Sequence, residues 1–174
     1  MQTLYDLWKP LDAKEKAGEE PTIEEIGVNN TSQQFFWGKR SKELLSQVHE
    51  DLQAVFNLFI TRTKQDCTIM PSTIRTIEDQ IQFVKKGTSK TFKSRHLFKM
   101  AVDSCPLKNG KIDWHDLKPF NEMNDLIQEC ADELGIKIRQ GRTFHDHPHN
   151  ELLKSVYPDT DDVLNELRRR GLIK

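Results

Sequence analysis

The sequence predicts an α+β domain, with a small and mostly antiparallel sheet flanked by helices. Three observations predict it. Apolar residues recur at a helical period in several stretches. Short β-like runs bounded by Pro, Gly or Asn lie between them. The resulting order is helix, strand, helix, strand, strand, helix, strand, strand, helix, which suits a two-layer α+β packing.

The elements follow in turn. From Ser41 to Thr63 the apolar positions Leu44, Leu45, Val48, Leu52, Val55, Phe56, Phe59 and Ile60 form one greasy face, so one helix is predicted there, with His49 on its solvated side. "CTIM" is a short strand ended by Pro71. Ile77, Ile81 and Val84 mark a second helix, closed by Lys85, Lys86 and Gly87. A polar loop leads to "KMAVD", a strand, and to a turn at Asn109-Gly110 followed by a short extended piece. A third helix starts around Pro119 and stops at Gly135. "IKIR" is the next strand. After Pro158, acidic residues Asp159 to Asp162 precede a helix whose last turn holds Arg168, Arg169 and Arg170. Both ends match the helix dipole, so the arginine trio reads as a solvated helix end rather than a nucleic-acid patch.

Composition narrows the class. A chain of 174 residues can bury a core without staples. Lysines and arginines number 26 against 27 acidic residues, a balance unlike that of a polyanion binder. Cys67, Cys105 and Cys130 are an odd number without metal-ligand spacing, so they read as small apolar residues of a reducing compartment. No run approaches the length of a membrane span, and the N-terminus lacks a basic leader followed by an apolar core. Residues 1–34 carry seven acidic and three basic residues and several turn formers. They are expected to be an acidic appendage, with a short helix at Leu4, Leu7 and Trp8. The body is expected to span residues 35–157, followed by a C-terminal helix at 158–174.

Two stretches carry chemistry. "SRHLFKMAVD" places His96 and Asp103 seven residues apart. It works if His96 lies in a loop and Asp103 on the following strand. "HDHPHNEL" packs three histidines, an aspartate and a glutamate into eight residues. If it is extended, His147, His149 and Glu151 share one side, and Asp146 faces the other unless Pro148 bends the chain. Imidazole and carboxylate are good zinc ligands, and three of them with an open fourth position make a catalytic site. An exposed polar turn accounts for the same residues on composition alone.

The paired motifs resemble those of the phage L-alanyl-D-glutamate and D-alanyl-D-alanine type zinc peptidases, enzymes that cut the stem peptides of peptidoglycan. "SRHLFKMAVD" matches Ser-x-His-x-x-Gly-x-Ala-x-Asp, and "DHPHNEL" matches Asp-x-Pro-His-x-Glu-Leu. "CTIMPSTIRT", "NGKIDWHDLKPF" and "ADELGIKIRQG" agree in order, so the resemblance covers roughly Ser41 to Leu152. It implies a zinc DD-peptidase-like fold and a Zn2+ cofactor held by His96, Asp103 and His149. It implies Asp146 as general base, Arg75 as the group that holds or polarises a substrate carbonyl, and Ser94 as a hydrogen-bonding support of the first motif. It also implies an endolysin made in the host cytoplasm, released through a separate pore, and acting on the cell wall. The peptidoglycan stem peptide would be its partner, with no nucleic acid and no membrane insertion.

The departures are Lys99 in place of the motif glycine, Thr73 before Ile-Arg, Asn150 after the last histidine, and a segment shortened to "GRTFHDH" with Phe144 in the aromatic place. A positive φ at Lys99 would cost about 1 kcal/mol, and its ammonium would sit close to the metal. A second expectation follows from these changes. It is a relative without turnover that acts as a protein-binding module, with residues 1–34 as a contact for a protein partner.

Overall fold

A computed structural model describes residues 34–174; all but the last residue of the expected appendage, its short helix included, lies outside the described residues. Among the described residues, five α-helices and a four-stranded sheet form the α+β architecture expected. The strands are β1 (Cys67–Ile69), β2 (Ala101–Pro106), β3 (Ile138–Gln140) and β4 (His149–Leu152). Their order is β1-β2-β4-β3, and every neighbouring pair is antiparallel. The two central strands, β2 and β4, are buried along their whole length.

The single helix expected over residues 41–63 is two helices, α1 (Lys39–Leu45) and α2 (Glu50–Ile60). The break lies at His49, whose N–H donates to the Lys99 carbonyl at 2.8 Å. The His49 ring accepts from the Asp51 N–H at 3.2 Å and caps α2. His49 is therefore a cap on a helix start and not a solvated mid-helix residue. Leu45, Val48, Leu52 and Phe56 all remain buried across the break, so the hydrophobic pattern runs through it. Trp37 joins this cluster against Phe56 and Phe59 and donates its indole N–H to the Phe56 carbonyl at 3.3 Å.

Helix α3 (Ile77–Lys85) opens on a reciprocal cap between Thr76 and Asp79 and is followed by Gly87 at φ 73°. Asn109 and Gly110 both take positive φ, as a type I′ turn requires, and join Lys108 to Lys111 by a pair of backbone hydrogen bonds. No strand follows that turn; the expected extended piece is reduced to this one bridge. Helix α4 (Leu117–Glu133) starts two residues before Pro119, because the Asp116 side chain accepts from the Lys118 N–H and proline is tolerated in a first turn. It ends where Gly135 takes φ 70° and Ile136 N–H donates to the Ala131 carbonyl at 2.9 Å.

The core lies between the helices and the sheet, where Phe56, Phe59, Phe120, Met123, Ile127 and Leu152 are essentially solvent-free. Helix α5 (Asp161–Arg169) adds the fully buried Leu167. The turn before α5 is fastened by Arg95. Its guanidinium donates to Asp159 Oδ1 and to the carbonyls of Leu152 and Tyr157, each at 2.9 Å. Both terminal nitrogens are thus paired while Nε is not, and a buried guanidinium needs such partners because an unpaired buried charge is costly.

Candidate metal centre

Antiparallel register builds the first half of the site. Asp103 of β2 lies directly opposite His149 of β4, and Ala101 opposite Glu151. Opposed residues project from the same face of a sheet, so the Asp103 and His149 side chains meet. His96 arrives from a 3₁₀ turn, Arg95–Phe98, that ends on Lys99 at φ 57°, ψ 26°. That left-handed residue reverses the chain into β2, with Met100 N–H donating back to the Arg95 carbonyl at 3.0 Å. The motif position thus does need a positive φ. The Lys99 side chain, however, is exposed and its charge acts on Asp162, not on the ligands. The expectation that its ammonium crowds the metal is corrected: the left-handed turn points it outward.

Three ligand atoms converge. His96 Nε2 and His149 Nδ1 are 3.1 Å apart, His149 Nδ1 and Asp103 Oδ1 3.1 Å, and His96 Nε2 and Asp103 Oδ1 3.2 Å. All three side chains are buried. The outer ring nitrogens settle the tautomers. His96 Nδ1 faces the Thr73 carbonyl at 3.2 Å, so it carries a proton and donates. His149 Nε2 faces Glu151 Oε2 at 3.1 Å and donates likewise. In the neutral rings, the two inner nitrogens therefore present lone pairs, to each other and to a carboxylate. Three acceptors at 3.1–3.2 Å repel unless a cation sits among them. For bonds of about 2.0–2.1 Å in a tetrahedron, ligand atoms stand roughly 3.3–3.4 Å apart, so the triangle fits zinc with little adjustment. Imidazole outer nitrogens tied to a carbonyl and a carboxylate are also the usual orienting partners of metal-bound histidines.

The surrounding charges agree with that reading. Burial pulls the His149 pKa down, but hydrogen bonds to Asp103 and Glu151 push it up to about 10. Burial alone would raise Asp103, yet His96 and His149 hold it well below the carboxylate range. The site attracts positive charge, whether a proton or a metal. Ser72 Oγ donates to Asp103 Oδ2, while Thr73 Oγ1 accepts from the Asp103 N–H at 3.0 Å. Those two residues, from the turn after β1, fix the carboxylate and its backbone.

Asp146 lies in the turn before β4. Its N–H donates to the Gly141 carbonyl at 3.0 Å, and its own carbonyl accepts from the His149 N–H at 3.1 Å. Burial and Asp103 raise its carboxyl pKa, against the pull of His149, His96 and Arg75. It therefore sits in the field of all three ligands without joining the triangle. Gly141 makes this possible: a Cβ there would stand 2.1 Å from the Asp146 carbonyl oxygen and 2.7 Å from the His149 Cβ. Arg75 is held by Gln80 Oε1 at 3.2 Å, Ser94 Oγ at 3.3 Å and the face of Phe83 at 4.5 Å. Burial lowers its pKa, opposed by Asp103 and Asp146. Ser94 thus braces Arg75 and does not cap the His96 turn.

His147 does not share the face of His149 and Glu151. It sits in a turn with Pro148, its ring edge-on to Phe120 and its carbonyl accepting from Asn124 at 2.9 Å. The strand begins only at His149, so the period-two reading holds for His149 and Glu151 alone. His145 and His115 are exposed and apart from the triangle. Sequence reasoning missed Ser72, Gly141 and Gln80. Gln80 left a signal: it is a glutamine on the apolar side of α3, fully buried and bonded to Ser89, Thr91 and Arg75. Ser72 and Gly141 left none, since their roles arise from distant chain.

Comparisons with known proteins agree with this geometry. The family model described as phage L-alanyl-D-glutamate peptidase matches residues 33–160. The L-alanyl-D-glutamate peptidase of Escherichia phage T5 is 35% identical over 129 residues, covering 71% of this chain and 93% of the phage enzyme. The crystal structure of the Serratia marcescens L-Ala D-Glu endopeptidase ChiX superposes with a TM-score of 0.66 at 29% identity, covering 74% of this chain and 98% of that one. The match over most of the chain, on a fold that gathers two histidines and an aspartate, makes this protein a member of the phage L-alanyl-D-glutamate peptidase family.

Proposed function

We propose that this chain is a zinc-dependent endopeptidase that hydrolyses the L-alanyl-D-glutamate bond of peptidoglycan stem peptides, and that it serves a phage as an endolysin. The observation that carries the reading is the triangle of ligand atoms, His96 Nε2, His149 Nδ1 and Asp103 Oδ1. Those three atoms would hold the ion. When bound, zinc supplies Lewis acidity that makes water acidic near neutral pH and polarises a carbonyl.

The remaining steps belong to side chains. Asp146 accepts the proton of the attacking water and delivers it to the departing amine; its raised pKa moves it towards the working range of a general acid-base. Arg75, braced by Ser94 and Gln80, directs its charge to the substrate carbonyl oxygen as negative charge develops there. Glu151 and the Thr73 carbonyl keep both imidazoles turned inward. Among the described residues no helix is long and apolar enough to cross a membrane. Synthesis in the host cytoplasm followed by action on the wall completes the proposed role.

The test pairs elemental analysis with lysis of outer-membrane-permeabilised Gram-negative cells. Stoichiometric zinc, clearing of the suspension, and loss of clearing in Asp146→Asn with zinc retained are expected. Zinc without hydrolysis of any wall preparation would instead leave a binding module.

A further inference from the structure

In an L-alanyl-D-glutamate bond the glutamate supplies the scissile nitrogen. Glutamate has two carboxyl groups, and the onward peptide uses one. The other is a free carboxylate only a few bonds from the reacting amide. The metal centre is itself rich in carboxylates, with Asp103 and Glu151 on the two nitrogens of His149 and Asp146 in the field of Asp103, so a further anion needs a cation outside the ligand set. The cations in the neighbourhood are mostly committed. Arg75 is bonded to Gln80 and Ser94, Arg142 is paired with Asp125 at 2.6 Å, and Arg95 is paired with Asp159.

Arg139 differs. It lies on β3 directly opposite Glu151, with its Nη1 3.5 Å from Glu151 Oε1, and 53% of its side chain is open to solvent. Its guanidinium lies over the ring of Phe144 at 4.6 Å. Phe144 is itself part-exposed and stands edge-on to the ligand His149, with ring centroids 5.8 Å apart. The aromatic face holds the guanidinium beside the ligand wall through a cation–π contact, and its planar fork of N–H donors meets Glu151 through a long ion pair that a closer carboxylate could replace.

We propose that Arg139, seated on Phe144, is the specificity group that binds the free glutamate carboxylate of the substrate. The proposal rests on the peptidase reading above. Phe144 sets the position of Arg139, and the long contact to Glu151 keeps the guanidinium next to His149 until a better-placed carboxylate takes it. A fork matched to a carboxylate makes paired, charge-assisted hydrogen bonds.

The experiment compares two acylated L-Ala-D-Glu peptides that differ only in whether the free carboxyl of the glutamate is ionised or amidated. Zinc-loaded wild-type protein should cleave the carboxylate peptide about ten- to a hundred-fold better in kcat/KM, the worth of a charge-assisted hydrogen bond, mainly through KM. Arg139→Gln should lose that preference, falling on the carboxylate peptide and changing little on the amide. Arg139→Lys should recover part of it. Zinc content and thermal midpoint of both variants should match the wild type. Equal loss on both peptides in Arg139→Gln would overturn the proposal, because Arg139 would then be acting through Glu151 on His149. Hydrolysis without discrimination by the wild type would overturn it alone. No hydrolysis of either peptide would overturn the peptidase reading, and the proposal with it.

Discussion

Single residues decide how closely the catalytic segments approach. Gly141 has no room for a side chain, and what blocks it is a backbone oxygen and a β-carbon rather than a flexible side-chain end. Gly141→Ala should therefore push the Asp146 turn away from β4, costing about 2 kcal/mol or more and weakening zinc binding. Denaturant melts and zinc titration would show it; an unchanged midpoint with full affinity would mean that the turn can shift at no cost. Lys99 is the opposite case. Its left-handed backbone is strained for a lysine, while its ammonium is turned away from the ligands. Lys99→Gly should stabilise the fold by up to about 1 kcal/mol and leave zinc affinity unchanged. A marked rise in zinc affinity in that variant would show that the ammonium does repel the ion.

At the scale of elements, β4 carries a ligand and its support two residues apart, and the pleat puts both on one face. Glu151→Gln keeps the shape but makes a weaker acceptor for His149 Nε2. Zinc affinity should fall about ten- to a hundred-fold, with the strand intact by circular dichroism. An unchanged dissociation constant would show that Glu151 serves β3 and Arg139 rather than the metal. The α1–α2 break teaches a different lesson about elements. The apolar period through Leu44, Val48 and Leu52 is continuous in the sequence, and it predicted one helix. What interrupts the helix is a hydrogen bond from His49 to Lys99, fifty residues on, which no local pattern contains. Gly87 and Gly135 were legible as helix stops because a left-handed end is a local requirement.

For the molecule as a whole, the metal centre links binding to stability. Without metal, hydrogen bonds to Asp103 and Glu151 hold the His149 pKa at about 10, against 6.5 for an ordinary histidine. A raised folded-state pKa stabilises the protein in full below the unfolded value, and that contribution is lost as pH rises through the folded one. The metal-free protein should therefore lose urea stability between about pH 6.5 and pH 10, while the zinc-loaded protein keeps its own because the ion replaces the proton. Parallel melts with chelator and with zinc across that range test it; a flat metal-free profile would place the proton elsewhere. Metal removal should lower the midpoint at every pH in the range, since binding only the folded state stabilises it.

The sequence by itself determined the helix faces, the glycine stops, the β-like runs and the two segments whose residue types suit a zinc peptidase. These are local matters: periodicity, backbone preference and ligand chemistry are written into neighbouring residues. Tertiary structure decided which residues of those segments meet and how. The β2–β4 register set Asp103 against His149 across 46 residues, and the left-handed turn at Lys99 brought His96 to His149 across 53. It also decided which nitrogen of each ring points inward, through Thr73 and Glu151. A strand register shifted by one residue would send every side chain to the opposite face. That choice is made by the packing of the whole core and not by the residues that use it.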